Sequence, residues 1–225
     1  MAARCWAWPS SHKLRALGVF MRTMRSVPGW LAGLAAATLA CGAAAGTVQV
    51  TVQDTAGKPL ADAVVFLESR EARAQAKPVA GTEIAQRAKR FEPAVTVVTV
   101  GSSVTFPNQD TVRHQVYSFS PVKTFELKLY IGTPASPVVF DKPGIAVLGC
   151  NIHDQMAAWV VIVETPHFGR SAAGGQVSLA HVPAGSYRLR VWHPGLAVGA
   201  PAADQAFTVN ASDQATVFKL AGVTP

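Results

Sequence analysis

The seven residues Cys150-Asn151-Ile152-His153-Asp154-Gln155-Met156 constrain this chain more than any other stretch. They set a thiol, an imidazole and a thioether three residues apart, between apolar runs at 145–148 and 159–163 that read as strands. A second imidazole, His114, stands upstream in a segment that begins Phe106-Pro107-Asn108-Gln109-Asp110. Strand pairing brings such separated groups together, because neighbouring strands place their ends side by side. Two His, one Cys and a weakly held Met form the donor set of a blue-copper electron-transfer site. The thiolate and thioether suit Cu(I), while the imidazoles suit both oxidation states.

Charge argues against a phosphate-binding role. The 225 residues carry 20 basic and 13 acidic side chains, a formal charge of +7. Arg4, Lys13, Arg15, Arg22 and Arg25 fall in residues 1–45 with no acid beside them, which leaves 15 basic against 13 acidic groups elsewhere. A near-neutral body without a basic stripe binds nucleic acid poorly, so no such partner is expected. Residues 1–45 read instead as a signal peptide. Arg22 and Arg25 give its positive region, the apolar run from Trp30 to Ala40 its core, and Ala43-Ala44-Ala45 its cleavage site. The mature chain is then expected to begin near Gly46 in the periplasm. Met21 and Met24 offer later starts, which would leave residues 1–20 untranslated. Membrane contact is expected only through an uncleaved signal or a lipid on Cys41. Thr38-Leu39-Ala40 makes a poor lipobox before that cysteine, its Leu displaced by one position.

Export also changes the meaning of the cysteines. Cys5 and Cys41 lie in the leader, so Cys150 is the single thiol of the mature chain. In an oxidising compartment a lone free thiol is a liability, and metal ligation protects it.

The body is rich in Val, Thr and Phe with frequent Gly and Pro, and no long amphipathic helical pattern appears; an all-β fold is expected. Val48, Val50 and Val52 alternate with polar residues, as do Tyr187, Leu189 and Val191. Further strands are expected at 63–67, 176–179, 206–209 and 215–220. The pattern D-x-x-G-x-P-L-x-x-A-x-V-x-L from Asp54, and L-x-x-V-P-x-G-x-Y-x-L-x-V from Leu179, resemble the two ends of a carboxypeptidase regulatory-like, transthyretin-like sandwich. That resemblance implies a discontinuous domain made of 46–69 plus 174–222. Residues 70–90 are charged and weakly patterned, and read as a connector with a short helical turn around 84–89.

Residues 91–165 carry F-x-P-x-V-x-V from Phe91, G-x-x-V-x-F-x-N-x-D-x-x-x-H-x-V from Gly101, and P-G-x-x-x-x-x-C-x-x-H-x-x-M from Pro143. This series resembles the cupredoxin family, the short ligand loop being similar to that of amicyanin, with plastocyanin a broader relative. It also looks like bacterial proteins labelled methylamine utilisation proteins. The resemblance implies a Greek-key β-sandwich, inserted in or packed beside the transthyretin-like one, that holds one type 1 copper ion. It makes His114, Cys150 and His153 the equatorial ligands and Met156 the long axial one. Relatives commonly place Asn directly after the first His, where this chain has Gln115, so Asn108 and Gln115 both stand as candidates for hydrogen bonding around the site.

The function expected is an electron carrier serving redox partner proteins, not an enzyme, since no H-x-H pair supplies a further copper site. A copper chaperone or store is the alternative, although Met156 is the only Met near the ligands. A partner-binding sandwich with structural copper is another. His193, in Trp192-His193-Pro194-Gly195, reads as a hydrogen-bonded corner of the second sandwich rather than a ligand.

Overall fold

In the computed structural model, residues 45–224 are described, and nearly all of their regular structure is strand. The expectations for the signal peptide, its cleavage site and Cys41 lie outside the described residues.

Among the described residues the strands form four sheets of three to five strands and one two-stranded hairpin. The first is β14 (Gln176–Pro183), β1 (Ala45–Asp54) and β17 (Gln214–Leu220). Here β1 runs antiparallel to β14 and parallel to β17, so it is held by residues far downstream. The second sheet is β13 (Phe168–Arg170), β2 (Val64–Glu68), β15 (Gly185–Trp192) and β16 (Ala203–Val209). Val48, Val50 and Val52 of β1 meet Val65, Leu67, Leu189 and Val191 between these two sheets. Period-2 alternation places one face of each strand in that core. His193 closes a corner here: its Nε2–H donates to Ala61 O at 2.9 Å, and its Nδ1 accepts Gly195 N–H at 2.9 Å.

The third sheet has five strands in the order β6 (Val95–Thr99), β12 (Ala157–Val163), β11 (Gly144–Gly149), β8 (His114–Ser120) and β9 (Lys123–Tyr130). The fourth holds β10 (Val138–Phe140), β7 (Ser102–Thr105) and β3 (Thr82–Glu83), beside a hairpin of β4 (Ala85–Arg87) and β5 (Arg90–Glu92). Val98, Val104, Phe106, Val116, Phe140 and Leu148 fill the core between them. The continuous apolar runs in β2 and β12 now have a cause. Val64 and Phe66 point away from the first core and meet Val161 and Val163, which point away from the other. Strands buried on both faces need no polar alternation.

Residues 70–90 differ from the expected connector. The helix lies earlier, as α1 (Arg70–Gln75), because Ser69 caps it, its Oγ accepting Ala72 N–H at 3.0 Å. Residues 84–89 are strand and turn instead of helix, and Ile84 is fully buried with Phe91 in the core beside the ligand loop. The two apolar anchors decide this; the charged side chains around them simply face solvent.

Candidate metal centre

The loop 150–156 joins β11 to β12, whose last pair in register is Gly149 with Ala157. Met156 N–H donates to His153 O at 2.9 Å and folds the loop back on itself. Strand β8 lies on the other side of β11, Tyr117 opposite Gly149, so its first residue, His114, arrives beside the loop. Gly149 allows this approach, for a Cβ there would meet Tyr117 Cζ at 2.7 Å.

One ligand atom from each of His114, Cys150 and His153 lies within 4.8 Å of the others. The two imidazoles meet nearly edge to face, their centroids 4.9 Å apart. Met156 is buried in the same core cluster as Cys150. His114, Cys150 and Met156 are buried, whereas His153 is only half-buried. Two buried imidazole atoms, Nδ1 of His114 and Nδ1 of His153, have no hydrogen-bond partner. Buried polar atoms are rarely left so.

The tautomer explains the first of them. His114 Nε2 lies 2.7 Å from Asp110 Oδ2. A carboxylate only accepts, so Nε2 carries the proton and Nδ1 keeps a lone pair free to bind a metal. Two free imidazole nitrogens beside a reduced, buried cysteine fit a copper ion held by His114, Cys150 and His153. Burial would push the Asp110 carboxyl up, but backbone N–H bonds from Lys89 and Ala88 and the bond to His114 outweigh it, and its pKa is lowered.

The sequence places Asp110 in the N-x-D-x-x-x-H segment but gives it no role. Its one signal is a carboxylate four residues ahead of the histidine. Of the two amides weighed there, Asn108 does the local work. Its Nδ2 donates to Val112 O at 2.9 Å and Tyr130 O at 2.8 Å, and its Oδ1 accepts Asp110 N–H at 3.0 Å. Gln115 instead donates to Glu126 Oε1 at 2.6 Å. Tyr130 is a further residue near the site. Burial pushes its phenol up to about 12, opposed by its hydrogen bond with Gln86, and the Cys150 thiolate adds to the rise. The hydroxyl donates to Phe106 O at 2.6 Å.

No family model matches the chain. No curated protein matches it either. Solved structures of cupredoxins resemble part of it. A purple cupredoxin from Nitrosopumilus maritimus is 20% identical, covering 37% of this chain and 100% of its own, with a TM-score of 0.34. The reduced Cu(I) form of an amicyanin mutant is 19% identical over 44% of this chain and 98% of its own, TM-score 0.34. A copper-containing nitrite reductase from Thermus scotoductus is 22% identical over 39% of this chain, TM-score 0.35, and this chain spans 25% of that enzyme.

Proposed function

We propose that the protein is a periplasmic type 1 copper protein that carries single electrons between redox partners, with His114, Cys150 and His153 as equatorial ligands and Met156 as the axial one. The observation that carries this reading is the buried Cys150 thiol with a ring nitrogen of His114 and one of His153 all within 4.8 Å of one another, each of these rings having a partnerless Nδ1. Copper bound there supplies a one-electron step between Cu(II) and Cu(I). The chain's contribution is to hold mixed soft and imidazole donors in one geometry for both states. Ligation also favours Cys150 as thiolate at neutral pH.

Half-buried His153 is the edge through which a partner would reach the site. Exposed apolar side chains stand on the flanking loops: Val112 at 41%, Ile131 at 58% and Ile152 at 46% exposure. Asn108 ties the first two loops together through Val112 O and Tyr130 O. A small apolar rim of this kind suits brief docking. We read the sandwich of β1, β2 and β13–β17 as transthyretin-like on the motifs from Asp54 and Leu179.

The test is the visible spectrum of the purified mature chain loaded with Cu(II). An intense thiolate-to-copper charge-transfer band is expected, and Cys150→Ser should abolish it because a hydroxyl is neither soft nor easily ionised. Weak ligand-field bands alone in the parent protein would defeat the reading.

A further inference from the structure

The hairpin of β4 and β5 turns through Ala88 and Lys89, at φ +49° and +57°. Two successive left-handed residues make the kind of turn that Asn-Gly or Asp-Gly usually supplies. Neither Ala nor Lys favours that conformation by itself. A contact outside the hairpin must therefore select it, and one is present. The backbone N–H of Ala88 donates to Asp110 Oδ1 at 2.7 Å, and that of Lys89 to Asp110 Oδ2 at 2.9 Å. The left-handed turn is what aims both N–H groups at one carboxylate.

The hairpin is also fixed to the same segment along its backbone. Gln86 N–H donates to Pro107 O at 2.8 Å, and Gln109 N–H donates to Gln86 O at 2.9 Å. Arg87 Nε reaches Gln109 Oε1 at 3.0 Å. Buried Ile84 and Phe91 hold its two flanks in the core shared with Cys150 and Met156. Asp110 is thus gripped from behind by two donors while Oδ2 accepts the His114 Nε2–H in front.

We infer that the 85–92 hairpin is a positioning device for the metal centre: its turn immobilises Asp110, and Asp110 fixes the ring and tautomer of His114. Ala88, Lys89 and Asp110 are positioning residues, since none of them belongs to the His114, Cys150, His153 group and Asp110 acts only through His114. The inference rests on the copper reading for its purpose, but not for its geometry.

The experiment compares the full mature chain with Asp110→Ala, with the double variant Ala88→Val/Lys89→Val, and with Ala88→Gly/Lys89→Gly. Branched side chains resist left-handed backbone and should open the turn, whereas Gly keeps both N–H groups and accepts the conformation. In the metal-free protein, imidazole nitrogen NMR should show His114 as the Nε2–H tautomer in the parent and in the Gly pair. Asp110→Ala and the Val pair should show a tautomer mixture. Cu(I) affinity, read by competition with a chromophoric Cu(I) chelator, should fall about 10–100-fold in Asp110→Ala, the range seen when partners of metal-ligating histidines are removed. The Val pair should fall in the same direction and the Gly pair should match the parent. If Asp110→Ala or the folded Val pair keeps the parent's tautomer and an affinity within about twofold, well short of that range, the positioning role is wrong. A parent chain that binds no copper would instead sink the functional reading, and the tautomer comparison would still decide the role of the hairpin.

Discussion

Ser171→Ala offers a quantitative test of how the distant halves of the second sandwich are joined. Ser171 is 4% exposed, and its hydroxyl bridges two backbone groups more than a hundred residues away in sequence. Its Oγ accepts Ala63 N–H at 2.9 Å and donates to Leu60 O at 2.7 Å. Both backbone groups belong to buried residues, so water does not readily replace the hydroxyl. Leaving a buried polar group unsatisfied costs about 1–3 kcal/mol. With two groups affected and partial relaxation, a loss of roughly 2–4 kcal/mol is expected. For a chain of this size that is a fall in Tm of about 5–15 °C. Urea titration followed by intrinsic fluorescence gives the stability, and the Cu(II) charge-transfer band reports the metal site separately. The band should be unchanged, because Ser171 touches neither the ligand loop nor β8. A loss below about 0.5 kcal/mol, the range of an ordinary surface substitution, would refute the claim that this hydroxyl staples the halves.

Acid should weaken the fold before the carboxylates titrate. Burial lowers the pKa of both His167 and His193, with the Ala61 hydrogen bond and Asp62 partly offsetting it at His193. Groups whose folded pKa is depressed are protonated first in the unfolded chain, so their stabilisation is complete above the unfolded value of about 6.5 and is lost as pH falls through the folded one. Urea midpoints at about pH 7.5 and 5.5 should therefore differ, and His193→Gln should shrink the difference; an unchanged difference would rule out His193 as a contributor. Under the copper reading, Met156→Leu would remove a weak donor to Cu(II), so the charge-transfer band should persist while the reduction potential rises. Loss of copper binding in that variant would show that Met156 is not an axial ligand.

The strands with one wet face were the most legible part of the chain. Val48, Val50 and Val52 announce β1 through strict alternation, and the structure buries all three. The runs at 64–67 and 159–163 announced strands but not their surroundings, since the second buried face of each exists only because the sheets of β2 and β12 pack together. The metal loop was legible because donor chemistry at fixed spacing survives any fold that closes a turn. Its support was not. Strands β4 and β5 have three residues each, too few for periodicity, and their turn lacks the Asn-Gly signature. Asp110 stands in the N-x-D-x-x-x-H segment, but its contact with His114 was not legible, because on a loop, unlike a helix, a four-residue separation has no fixed geometry.

The position of β12 links the two kinds of packing to the chemistry. Ala158, Val160 and Ile162 face the core that holds Cys150 and Met156, while Val161 and Val163 face β2 of the other sandwich. The strand that receives Met156 is therefore clamped on both faces, and β11, which delivers Cys150, is paired along its length with it. Close-packed interiors resist displacement, because each shift forfeits contacts on one side and strains them on the other. Cu(II) and Cu(I) prefer different surroundings, so if the site carries electrons on copper, as proposed, a loose one would rearrange at every transfer. The candidate ligands, carried by a doubly packed strand pair and with His114 bonded to Asp110, would have little freedom to do so. The second sandwich thus bears on the ligand loop by burying the outer face of the strand on which that loop ends, and its Trp192 and Leu196 line the same cavity as Cys150 and Met156.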